Sequence, residues 1–224
     1  MLSRVAFYMQ TSVIKKQVMA VTGLLLTGFL ISHMIGNCLI FVSADAFNLY
    51  AHTLTSNPAI YLAEAILAAI FLSHIGLGIS LNMQNKAARP NRYYMKQPTG
   101  QGTTFASSTM IYTGMVLLVF LIFHILHLKF GPYHETTVNG ETIRDLFKTT
   151  VDYFQNPLAV AWYIFSMVCI GIHLSHGFWS AFQSLGFNHP KYNCFLKCKA
   201  KAVAVIICLG FCSMPIAMYL GFVS

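Results

Sequence analysis

Charge is scarce in this sequence. Only 9% of its 224 residues are charged, and six of them are acidic. With 56% apolar residues and a positive mean hydropathy, the chain lacks the polar side chains to cover a water-soluble globule, which leaves a polytopic membrane protein. The net charge of +8 is spread between apolar runs and forms no single patch, so nucleic acid is excluded as a partner. A dinucleotide fingerprint is missing, and so is a cysteine set with iron–sulfur spacing. No soluble domain, internal repeat or low-complexity tail is legible, and residues 1–224 read as one membrane domain.

What is present is a series of five apolar runs, at about 18–41, 61–81, 110–130, 158–182 and 202–222, each near the ~20 residues a spanning helix needs. The fold expected is all-α, five transmembrane helices in a bundle. Arg4, Lys15 and Lys16 precede the first run. Lys86, Arg89, Arg92 and Lys96 separate the second from the third, and Lys191, Lys197, Lys199 and Lys201 the fourth from the fifth. The other two connections carry Asp45, Glu135, Glu141, Asp145 and Asp152 against Lys129, Arg144 and Lys148. By the positive-inside rule the N-terminus is cytoplasmic and the C-terminus outside. The A-x-A at Ala44 to Ala46 does not make the first run a signal peptide, because its apolar core exceeds the ~7–15 residues of such a segment. The one long connection, 131–157, is punctuated by Gly-Pro, Asn-Gly and Asn-Pro pairs and holds an amphipathic stretch, 143–154, expected to lie along the outer surface.

Histidines stand within four of these runs: His33 in ISHMIGN, His74 in LSHIGLG, His124 and His127 in FLIFHILHLKF, and His173 and His176 in the 162–186 segment WYIFSMVCIGIHLSHGFWSAFQSLG. A neutral imidazole is a strong iron ligand, and ionisable groups at membrane depth are costly enough to be read as functional. The first and third runs point outward and the second and fourth inward. His33 and His124 therefore fall slightly outside the bilayer midplane, and His74 and His173 slightly inside it. At ~1.5 Å per residue the two levels are expected roughly 10 Å apart. Two stacked b haems follow, an outer one on His33 and His124 and an inner one on His74 and His173. Two imidazoles per iron leave no open position for oxygen chemistry, which suits electron transfer. The absence of C-x-x-C-H excludes covalent attachment.

Small residues beside these histidines, Ser32, Gly36, Ser73, Gly76, Gly78, Gly114, Gly171 and Gly177, would admit a flat macrocycle, although ordinary membrane helix packing uses the same residue types. Six cysteines are present; Cys38, Cys169, Cys208 and Cys212 fall within spans. A structural zinc site of His189, Cys194 and Cys198 is the lesser alternative to small filler near a helix start. Glu64 is the only acid within a span. It precedes His74 by ten residues, ~15 Å further out, where it either exchanges protons with a quinone or reaches the outer headgroups.

The motifs around His33 and His74, His124 eleven positions after Thr113 in a span that opens on Thr-Gly, and HLSHGFWSAFQSLG from His173 together resemble the single-chain, five-helix, two-haem cytochrome b subunit of succinate:quinone and quinol:fumarate oxidoreductases. The resemblance covers nearly the whole chain. It implies that four histidines on the first four spans ligate two b haems with the pairing given above. Family spacing places the fourth ligand four residues before one glycine and thirteen before another, which Gly177 and Gly186 satisfy for His173, leaving His176 extra. It likewise favours His124 over His127. Partners implied are a flavoprotein subunit with covalent FAD and an iron–sulfur subunit, both anchored on the cytoplasmic face. The substrate implied is a membrane quinone, usually menaquinone, in the respiratory chain of a prokaryotic inner membrane. Some relatives carry a proton-transferring glutamate two residues before the fourth ligand. Here that position is Gly171, so that route has no counterpart in this sequence.

Membrane histidines also occur in other classes of protein. A histidine-lined metal-ion transporter would show inverted repeats or broken helices, which the sequence does not, and a plain membrane scaffold would use histidines as packing partners. The cytochrome b anchor of a hydrogenase or formate dehydrogenase shares the histidine-bearing helices but not the motif at 173–186.

Overall fold

The computed structural model describes residues 11–88 and 104–223; Arg4, Arg89, Arg92 and Lys96 of the charge argument lie outside the described residues. Among the described residues, five helices are long and apolar enough to cross a membrane. The first, α1, is Ser12–Asn37, extended by a 3₁₀ turn at Cys38–Phe41; a short α2, Ala44–Ser56, follows. Next come α3, Ala59–Ala87, and α4, Phe105–His124, whose last turn widens to a π turn at Ile125–Lys129. Then come strands β1, Glu135–Val138, and β2, Glu141–Arg144, and helices α5, Leu146–Phe154, α6, Pro157–Ser184, and α7, Pro190–Tyr219.

The helix starts are written in the sequence. Thr104 and Ser107 form a capping box at α4, Asp145 caps α5, and Asn156 followed by Pro157 opens α6; each supplies an acceptor to backbone N–H groups that have no partner inside the helix. Gly186, at φ +93°, ends α6 in a left-handed turn. Its outward faces, with Leu158, Phe165 and Val168 exposed, are apolar, as lipid contact requires.

Three elements lie outside the five-helix expectation. Residues 44–56 are helical rather than loop, begun by the Ser43 side chain accepting from Ala46 N at 3.1 Å. Residues 135–144 form an antiparallel hairpin through Asn139 and Gly140, at φ +53° and +82°, the left-handed pair a two-residue turn needs. The amphipathic stretch read at 143–154 thus divides between the end of β2 and α5. The fifth helix begins at Pro190, well before the run at 202, because the lysine-rich segment continues the helix as a polar end that hydropathy does not register. That shortens the expected loop to Leu185–His189.

Together α2, the hairpin and α5 cap one end of the bundle. Asn48, 1% exposed, ties them: its side-chain amide donates to Asp145 Oδ1 at 2.9 Å, and its oxygen accepts from Phe147 N at 2.8 Å. Arg144 donates to the carbonyls of Lys129 at 2.8 Å and Leu128 at 3.1 Å, covering the exposed C-terminal end of α4. Phe47, Phe154, Tyr163 and Met218 form the apolar layer beneath the cap.

Candidate haem and quinone sites

Four helices surround the bundle interior in a particular way. The α1 helix packs against α3 and α6, and α4 packs against α6, whereas α1 with α4 and α3 with α6 make no extensive backbone contact. The helices that stand apart are bridged by histidine rings. Nearer the cap, His33 of α1 and His124 of α4 meet edge to face with ring centroids 5.8 Å apart. Further from the cap, His74 of α3 and His173 of α6 do the same at 6.5 Å. The first is the upper pair and the second the lower pair.

Each ring is held in place. In the upper pair, the His33 ring stacks on Phe29 at 5.3 Å and lies 3.4 Å from the Asn37 amide, while Nδ1 of His124 is 3.3 Å from the Tyr163 hydroxyl and its ring stacks on Phe120. In the lower pair, Nδ1 of His74 is 3.1 Å from Thr22 Oγ1, and Nδ1 of His173 is 3.1 Å from Thr113 Oγ1. A metal–imidazole bond is ~2 Å long, so two such bonds and two ring radii come to about 6 Å, which the ring separations match. Two imidazoles brought together across helices that stand apart would suit a six-coordinate haem iron, and the ring separations at both levels leave room for it.

The remaining histidines are engaged elsewhere. His127 Nδ1 donates to the Phe123 carbonyl at 2.8 Å and its ring packs on Tyr153 at 4.9 Å. His176 makes no hydrogen bond or ring contact among the described residues. His189 Nδ1 accepts from Lys191 N at 3.2 Å at the start of α7. Among the described residues no three His, Cys, Asp or Glu side chains come together to hold a metal ion. Cys194 and Cys198 belong to no such cluster, and His189 serves as a helix cap.

The two levels are further apart than expected. Thr22 touches His74 and lies eleven residues before His33 on the same helix, which puts the levels ~16 Å apart instead of roughly 10 Å. The helices extend past their apolar runs, so the midpoints of those runs misplace the histidines. Small residues also divide. A Cβ on Gly114 would lie 3.6 Å from His173 Cε1, but one on Gly36 would meet the Tyr50 ring at 2.5 Å, and one on Gly171 would meet Cys208 at 3.3 Å. Gly36 and Gly171 therefore serve helix packing. Gly23, whose Cβ would lie 3.2 Å from His74 Cε1, is the close neighbour the sequence reading missed.

Glu64 is half exposed and ion-paired with Lys129 across α3 and the π turn. Lys129 follows His124 by five residues, so the pair sits on the cap side of the upper histidines. Beside the same π turn a cavity of about 330 Å³ is lined by Leu126, His127, His134, Thr149, Asp152 and Tyr153, among others. His134 Nε2 is 3.7 Å from Asp152 Oδ2 at its edge. Burial pushes the Tyr153 hydroxyl above its usual range. At the opposite end Lys191, Lys197 and Lys199 lie over the rings of Tyr192, Trp179 and Phe195 at 5.2–5.4 Å, as interfacial cations and aromatics do.

Among curated proteins the chain is similar to the succinate dehydrogenase cytochrome b558 subunit of Bacillus subtilis (strain 168), 26% identical over 155 residues, covering 68% of this chain and 69% of that one. No family model matches the chain, and no solved structure matches it.

Proposed function

We propose that this chain is the two-haem cytochrome b anchor of a succinate:quinone or quinol:fumarate oxidoreductase, passing electrons between an iron–sulfur subunit and a membrane quinone. The observation that carries this reading is the pair of facing imidazoles at each of two levels, on helices otherwise held apart. The name of the Bacillus relative supports it independently. His33 and His124 would hold the upper haem, and His74 and His173 the lower. Bound there, haem supplies a one-electron centre at each level.

The rest of the chemistry belongs to this chain. Thr22, Thr113 and Tyr163 orient the ligand rings, and apolar walls keep water from them. Quinone turnover moves protons as well as electrons, and Glu64 with Lys129 is the charged pair closest to the upper level. The 330 Å³ cavity beside that turn offers an apolar wall with a few polar groups, the usual make-up of a small-molecule site. Glu64 is the proton-exchanging group in this reading, and menaquinone the substrate. With the positive-inside orientation in a prokaryotic inner membrane, the cap faces outward, and the lysine-bearing end meets the iron–sulfur and flavoprotein subunits.

The test is to purify the chain from its native membrane under mild detergent. A reduced-minus-oxidised spectrum of b type with co-purifying FAD and iron–sulfur subunits supports the reading; hydrogenase or formate dehydrogenase subunits, or no haem, would overturn it.

A further inference from the structure

The two threonines that touch the lower histidines occupy matching places. Each begins a Thr-Gly dipeptide, Thr22-Gly23 in α1 and Thr113-Gly114 in α4, and each stands eleven residues before an upper histidine, His33 and His124. The shared pattern is T-G-x₉-H. Eleven residues make about three helical turns, so the threonine and the histidine lie on one face of their helix. That face presents a hydroxyl at the lower level and an imidazole at the upper one. The lower histidines come from the next membrane helix in each case, α3 after α1 and α6 after α4. The two helix pairs, α1 with α3 and α4 with α6, therefore share this arrangement of Thr-Gly, upper histidine and lower histidine.

Contacts at the two dipeptides agree in detail. Thr22 Oγ1 is 2.9 and 3.0 Å from the carbonyls of Val18 and Met19, and 3.1 Å from His74 Nδ1. Thr113 Oγ1 is 3.1 Å from the carbonyls of Thr109 and Met110, and 3.1 Å from His173 Nδ1. A hydroxyl has one hydrogen, and a carbonyl can only accept. With that hydrogen given to the helix carbonyls behind it, the oxygen offers the ring a lone pair, and the imidazole must be the donor. The proton then sits on Nδ1 and the free lone pair on Nε2. The glycine beside each threonine leaves room for the ring, since a Cβ would stand 3.2 Å from Cε1 of His74 and 3.6 Å from Cε1 of His173.

We propose that Thr22-Gly23 and Thr113-Gly114 are matched seats that hold the lower histidines in the Nδ1–H form with Nε2 turned to the iron, and that T-G-x₉-H is the ruler that sets the distance between the two levels. The proposal rests on the haem reading of the lower pair. Both threonines are positioning residues acting through the histidines. A hydrogen-bond acceptor on the far nitrogen of a ligand imidazole raises its basicity, which stabilises the oxidised iron and lowers the potential. The upper pair has Asn37 and Tyr163 instead of hydroxyls from Thr-Gly, so the two centres are tuned separately.

The experiment is a redox titration of the purified complex followed by optical spectroscopy, with haem content measured on the same samples. Thr22→Val and Thr113→Val keep the shape and remove the hydroxyl; Thr22→Ser and Thr113→Ser keep the hydroxyl. Each Val variant is expected to shift the lower centre to higher potential and leave the upper one in place, and each Ser variant to stay with the wild type. The double Val variant is expected to lose the lower haem. Val and Ser variants that behave alike, or Val variants whose potentials match the wild type, overturn the proposal while leaving the haem reading intact. A wild-type chain without haem overturns both.

Discussion

His33 and His124 meet ring to ring at 5.8 Å although the helices that carry them make no extensive backbone contact. A contact of that kind makes sense when something is held between the rings. Replacing either residue with Ala is expected to remove the upper haem and halve the haem content. Replacing His74 or His173 is expected to do the same for the lower. His127→Ala and His176→Ala should retain both, since the first is turned to a backbone carbonyl and the second lacks a facing imidazole. Haem-resolved difference spectra check each variant. If the His176 variant loses a haem while the His173 variant keeps two, the register of α6 is wrong.

Glu64→Gln keeps the shape and most of the hydrogen bonding but has no acid proton to exchange. The expected outcome is two retained haems, unchanged succinate oxidation with a soluble dye, and loss of most quinone-linked turnover. Lys129→Met removes the counter-charge. Because the pair is half exposed, its contribution to stability is at most about 1 kcal/mol, so a turnover defect without a fall in thermal midpoint would separate function from folding. Full quinone turnover in Glu64→Gln across the working pH range would place the proton group elsewhere.

Asn48 is the buried link between α2 and α5. In the Asn48→Ala variant the Phe147 N–H loses its side-chain acceptor and the Asp145 carboxylate keeps only its bond from Lys148 N, a cost of about 1–3 kcal/mol. A lower thermal midpoint is expected, with both haem spectra unchanged at low temperature. A midpoint equal to wild type would show that water replaces the amide.

Gly36→Ala brings a methyl against the Tyr50 ring at 2.5 Å, and overpacking of this kind costs about 1–3 kcal/mol. The double variant Gly36→Ala, Tyr50→Leu should recover most of the loss. Thermal melts of the single and double variants decide it.

Much of this was legible in advance because it depends on composition along the chain. Apolar runs gave five helices, and the direction of each run grouped His33 with His124 and His74 with His173, whose ring centroids the structure brings to 5.8 and 6.5 Å. The cap was not legible: α2 is too short and too mixed for a hydropathy reading, and its tie to α5 is a single buried amide, Asn48, whose partners lie far away in sequence. In the sequence Lys129 reads as a loop charge, and its pairing with Glu64 depends on the π turn. The contacts of Thr22 and Thr113 with histidines are not legible for another reason. Threonine in an apolar helix commonly bonds to its own backbone, as these do, and only the packed helices show the second acceptor surface turned to a histidine.

The central claim is that this chain binds two haems, one per facing histidine pair. It is tested most directly by measuring haem b per chain in the purified protein by pyridine haemochrome, with a redox titration on the same sample. Two haems per chain that titrate as two centres are predicted. One haem, or none, would contradict it.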